Sequence, residues 1–66
     1  MFIEVTLVHR DDKPKIAINV NTIEAIIPHY KDPKLTVIYT LANQDEGFVV
    51  EDNYKIIMYK IANLSV

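Results

Sequence analysis

Cysteine is absent from this 66-residue chain, which excludes disulfide staples, thiolate metal sites and thiol catalysis together. Serine occurs only at Ser65, so a serine nucleophile held beside its base is excluded as well. Gly47 is the sole glycine, and one glycine cannot build a phosphate-cradling loop. No apolar run approaches the roughly 18 residues that a membrane span needs, and the amino terminus has no basic segment leading into an apolar one. Positive charge is scarce too. A formal net charge of −2 does not supply the clustered field on which phosphate-backbone binding relies, and Arg10, Lys13 and Lys15 are interleaved with Asp11 and Asp12.

What remains is an ordinary folded composition, 50% apolar and 24% charged, in one domain spanning residues 1–66. A single core of this size supplies roughly 3–5 kcal/mol at most. With neither disulfide nor thiolate metal available, oligomerisation is the common remaining remedy.

The apolar pattern has a period of two through most of the chain, predicting strands at about 2–9, 16–20, 23–28, 35–41 and 48–50. Arg10 to Lys15, with Pro14, and His29 to Lys34, with Pro33, are polar breaks. Asn21 and Thr22 form a short local turn, and Ala42 to Gly47 reads as a third connection. From Asp52 the period changes to about 3.6. Tyr54, Ile57, Met58 and Ile61 form one stripe of a helix over about 52–63, with Asp52 as its N-cap and Lys60 near its far end. The fold class expected is α+β: a small twisted antiparallel sheet of four to five strands, or a partly open barrel, covered by one C-terminal helix.

That sheet looks apolar on both faces. Ile3, Val5 and Leu7, then Ile16, Ile18 and Val20, then Leu35, Val37 and Tyr39 form the expected core side. Phe2, Val8, Ile26, Ile38 and Val49 point the other way, and a single helix cannot cover both faces. The expected interface is Phe2, Val8, Ile38 and Val49, with Ile56 and Tyr59 on the flank of the helix. Association through the second face or by edge-strand pairing follows, a dimer being the simplest form.

Several segments carry a family resemblance: Ile3-Glu4-Val5-Thr6-Leu7, Ile18 to Ile26, Thr36-Val37-Ile38, and Phe48-Val49-Val50-Glu51-Asp52 leading into a helix. Their order resembles the FlbD-like small proteins of flagellar gene clusters and related short phage and bacterial proteins. The connection from Arg10 to Lys15 is longer and more charged than the hairpin of that family, and Asp52 and Lys55 stand where the family has a capping serine and a glutamate. The resemblance implies a small non-catalytic accessory protein and assigns no functional residue. Asn21 to Ile27 is also loosely similar to the DNA-binding domain of LytTR-type regulators, without the basic residues that phosphate contacts need.

Other chemistry has little to work with. His9 and His29 do not match a metal-ligand spacing, Asp45 with Glu46 falls in a turn, and Glu51 with Asp52 falls at a helix start where acids are favoured structurally. The expectation is a cytoplasmic, non-enzymatic interaction module, without cofactor or metal, whose partner is itself or another protein, with neither membrane nor nucleic acid. One rival is a nucleotide or small-ligand binder in which Arg10, Lys13 or Lys34 meets an anion between subunits; another is a weak DNA-binding protein.

Overall fold

The computed structural model describes residues 1–8 and 11–64, so the strand end expected at His9 lies outside the described residues. Five strands precede one helix: β1 (Phe2–Thr6), β2 (Lys15–Asn19), β3 (Ile23–Pro28), β4 (Thr36–Thr40), β5 (Asn43–Val50) and α1 (Tyr54–Leu64). The class is α+β. The strands are divided between two antiparallel sheets, β1-β2 and β3-β4-β5, where one sheet of four or five strands was expected. Among the described residues the two sheets are bridged by the pair Leu7 and Val50. There the Val8 amide donates to the Val49 carbonyl (3.2 Å) and the Glu51 amide to the Thr6 carbonyl (2.9 Å).

Ile3, Val5 and Leu7 of the first strand, Ile18, Ile38, Val50 and Ile57 form the buried core. Alternation puts Ile3 and Val5 inward with Ile18, while the helix contributes Ile57, with Ile61 and Leu64 packed beside it. Met58, expected on the same stripe, is instead 40% exposed, leaving a narrower buried face on α1.

In β4 the expected faces are exchanged. Ile38, assigned to the outward face and to an interface, is fully buried at the centre of the core, and Thr36 and Thr40 turn inward with it. Threonine is tolerated there because its hydroxyl can be satisfied: Thr36 Oγ1 donates to the Asp52 carbonyl (2.7 Å). Val37 and Tyr39, expected inside, alternate onto the opposite face.

Two irregularities lie in the strands on either side of β4. A register shift between Ile23 and Ala25 leaves Glu24 as an extra residue, so Ile23 and Ile26, three positions apart, both pack on the core. Ile26 was expected to face outward. In β5 the ladder jumps from Thr40↔Asn43 to Ile38↔Phe48, and the residues read as a connection, Asn43 to Gly47, belong to the strand. The hairpin turn is the tight Leu41-Ala42.

The helix start also differs from expectation. Asn53 Oδ1 accepts from the Lys55 amide (2.8 Å), the N-cap bond expected of Asp52. Asp52 is held by β1: its Oδ1 accepts from the Thr6 amide (2.8 Å), and its Oδ2 lies 3.5 Å from Lys60 Nζ. Lys60 Nζ in turn donates to the Glu4 carbonyl (2.9 Å). The edge of β1 away from β2 is thus closed by a carboxylate and an ammonium in place of another strand.

Replacing Asp52 by alanine leaves the Thr6 amide without its acceptor and Lys60 without its counter-charge, and is expected to destabilise the fold by about 1–3 kcal/mol. Asp52→Asn keeps an acceptor for Thr6 and loses only the ion pair, costing about 1 kcal/mol or less. Urea denaturation of both variants measures the difference.

Candidate interaction surface

Below β4 lies the core; above it lies a second apolar layer. Ile27 pairs with Val37 and Val37 with Val49, while Ala25 pairs with Tyr39, so these side chains share the face directed away from the core. Val37 is buried among them, Tyr39 and Val49 are half-buried, Ala25 is exposed, and Ile27 is 45% exposed. The helix packs on the other side, through Ile57, Ile61 and Leu64, and does not cover this layer.

Gly47 determines how the layer is built. Its φ is +73°, a conformation that favours glycine, and a Cβ there would fall 2.7 Å from Val37 Cγ1 and 3.1 Å from the Tyr39 ring. Tyr39 therefore lies over a glycine in the neighbouring strand, filling the space a side chain would occupy. Asn43 Oδ1 accepts from the Gly47 amide (3.2 Å), closing the wide bulge locally. Beside it lies a cavity of about 330 Å³, lined by Leu7, Asn43, Glu46, Gly47, Phe48 and Val49. The lining offers one carboxylate and one amide.

The residues expected at an interface are dispersed. Val8 and Val49 are adjacent and half-buried. Phe2, 61% exposed, belongs to the other sheet, opposite Asn19 on a face shared with Glu4, Lys15 and Ala17. Ile56 and Tyr59, 52% and 70% exposed, lie one turn apart on the outer side of α1. Ile38 is withdrawn from the surface altogether. Ala25, Ile27 and Tyr39 take its place, and sequence reasoning missed them because only the bulge at Glu24 reveals the register.

The basic residues are distributed in the same way. Lys13, itself at a positive φ of 43°, lies 3.5 Å from Glu51, and Lys15 lies 3.9 Å from Glu4. Lys34 sits in the β3–β4 connection, its amide donating to Asp32 Oδ1 (3.0 Å). Arg10 and His9 lie outside the described residues. His29 Nδ1 accepts from the amides of Lys31 (3.1 Å) and Asp32 (3.2 Å), so the histidine caps its own turn and Nε2 carries the proton of the neutral ring. Its ring stacks on Tyr30 at 5.0 Å, and Lys31 Nζ lies 5.5 Å from the Tyr30 centroid. Among the described residues no three His, Asp or Glu side chains are grouped as a metal ion would require, and no helix is long and apolar enough to cross a membrane.

No family model matches this sequence, and neither a curated protein nor a solved structure matches it.

Gly47→Ala is expected to destabilise the protein by roughly 1–3 kcal/mol, from the strained backbone and from displacement of Val37 and Tyr39. A thermal melt reads the loss. Tyr39→Ala in the same background relieves part of the crowding, so the two substitutions together cost less than their sum.

Proposed function

We propose that this chain is a small non-catalytic interaction module that assembles with copies of itself, and that the outer face of β3-β4-β5 is the surface through which it does so. The observation that carries the reading is that face: Ala25, Ile27, Val37, Tyr39 and Val49 form one apolar layer that the helix leaves uncovered. A two-fold contact between two such layers would remove Ile27 and Tyr39 from water, and tyrosine suits an interface because its ring contributes area at low entropic cost. The modest core of a chain this short gives association a second benefit, since stability then rises with concentration.

The resemblance to FlbD-like proteins fits an accessory or regulatory role in a bacterium or a phage, acting in the cytoplasm. The strands on this reading behave as one split layer, hinged at the Leu7↔Val50 bridge, more than as a closed barrel.

Sedimentation equilibrium at micromolar concentration is expected to show an assembly, with a melting temperature that climbs as the protein is concentrated. Ile27→Asp puts a carboxylate into the middle of the apolar layer and should raise the dissociation constant at least tenfold, about 1.4 kcal/mol, without unfolding the protomer. A wild-type chain that stays folded and monomeric throughout would remove the reading.

A further inference from the structure

Among the described residues the sheet edges differ in how far their backbone groups are engaged. In the β1-β2 ladder the Val20 amide donates to the Met1 carbonyl (2.9 Å) and the Leu7 amide to the Pro14 carbonyl (3.0 Å). With Ile3 opposite Ile18 and Val5 opposite Ile16, these contacts identify the hydrogen-bonded pairs. Such pairs alternate with non-bonded ones, so the intervening residues Glu4 and Thr6 on β1, and Lys15, Ala17 and Asn19 on β2, aim their amides and carbonyls away from the partner strand.

On β1 the Glu4 carbonyl is taken by Lys60, the Thr6 amide by Asp52 and the Thr6 carbonyl by the Glu51 amide. On β3 the same counting starts from the His29 amide, which donates to the Leu35 carbonyl (3.0 Å), and puts Ile26 and Pro28 on the free edge. Pro28 has no N–H to offer and Glu24 is bulged, so that edge cannot template a regular ladder. On β5 the Gly47 amide is taken by Asn43, and Val49 by Val8. The outward edge of β2 carries one exposed lysine and Thr22 Oγ1 reaches its Asn19 carbonyl, while among the described residues no other element bonds the outward backbone groups of Lys15 and Ala17. This edge is unbulged, Lys15 and Ala17 are exposed, and Ala17 presents no bulk.

We infer that β2 pairs antiparallel with β2 of a second copy, Ala17 facing Ala17 across a two-fold axis. In this register Lys15 faces Asn19 of the second copy and Asn19 faces its Lys15, so no like charges are opposed. The Asn19 carbonyl already accepts from Thr22 Oγ1 (2.7 Å) and has a second lone pair for the new bond. Shifting the register by two residues loses a pair, and shifting it by one would oppose residues whose amides are committed to β1. On the core side the half-buried Ile16 meets Ile18 of the second copy. The product is a four-stranded sheet, β1-β2-β2-β1, in place of a two-stranded one, which is marginal by itself.

This inference rests on the reading that the chain self-associates and adds a second contact to it, so the wild type sediments heavier than a dimer. Ala17→Asp opposes two carboxylates at the axis, and Ala17→Lys two ammoniums. Each is expected to lose the edge contact and leave the face-to-face dimer, while an equimolar mixture of the two regains the heavier species in low salt. Ile27→Asp leaves the edge dimer, and Ile27→Asp with Ala17→Asp leaves a folded monomer.

Amide exchange in the wild type gives a readout without substitution: Lys15 and Ala17 amides are expected to slow as concentration rises. An Ala17→Asp chain that sediments as wild type, or Lys15 and Ala17 amides that exchange freely at every concentration, would overturn the edge contact and leave the sheet-face reading standing. A mixture that fails to recombine overturns the register. A dimer abolished by Ala17→Asp and untouched by Ile27→Asp supports the edge and removes the face. A wild-type chain that is monomeric at every concentration removes both.

Discussion

The fold depends on Glu51 and Asp52, two of the three residues that join its last strand to its helix. The Glu51 amide and the Asp52 carboxylate both bind Thr6, the Asp52 carbonyl holds Thr36, and Lys60 returns from the helix to the same carboxylate and to Glu4. Two sheets and a helix are fastened within one short stretch of chain. The Leu7↔Val50 bridge lies beside it, with the core residues Val5, Leu7, Val50 and Ile57. Because Asp52 is mostly shielded, its bond to a backbone amide is worth more than a surface contact, and losing the carboxylate would strand a donor on β1.

Fastening the sheets at one point has a consequence for surface. Sheets that continued side by side would close towards a barrel and hide each other's edges. Here the strands form two separate sheets, with the cavity beside Gly47 lined by Leu7 and β5 residues. The three-stranded sheet keeps an apolar face with damaged edges. The two-stranded sheet keeps a mixed face, with Phe2 beside Glu4 and Lys15, and an intact edge. The two surfaces that invite association therefore differ in kind, one offering area and the other hydrogen bonds.

Much of this architecture was legible in the residues. The run from Ile23 to Pro28 corresponds to β3 residue for residue, while β1 stops at Thr6, short of the expected 2–9, and α1 begins at Tyr54, two residues after the expected start at Asp52. The faces of β4 were not legible. Leu35, Val37 and Tyr39 outscore Thr36 and Thr40 on hydrophobicity, so the sequence favours the wrong side; hydroxyl partners such as the Asp52 carbonyl, distant in sequence, reverse it. Likewise Asn43 to Gly47 has the polar composition of a loop, and only the Asn43 side chain bonded to the Gly47 amide shows it as a bulged strand. In β3 and β5 the cause is a bulge, which changes the phase of an alternating pattern and whose position is fixed by tertiary contacts that no local window contains. The apolar second layer was foreseen with Ile38 and Ile26 in it, and a change of phase replaced them with Val37, Tyr39 and Ile27.

The bulges also link the outer layer to the edges. The extra residue at Glu24 turns Ile23 and Ile26 inward together and leaves Ala25 and Ile27 outside; the same insertion breaks the free edge of β3. The insertion in β5 sets Gly47 beneath Tyr39, and the same insertion turns the Gly47 amide back onto Asn43. A strand that supplies apolar side chains to an exposed face is an aggregation hazard if its backbone is also open, since the two would nucleate an unlimited ladder. On β3 and β5 the exposed apolar residues therefore sit beside a disrupted edge, which removes that route there. The edge of β2 is limited for a different reason: its own outward side chains are Lys15, Ala17 and Asn19, and Phe2 on β1 is the one large apolar side chain on that face, so pairing there stops once the second copy has used it.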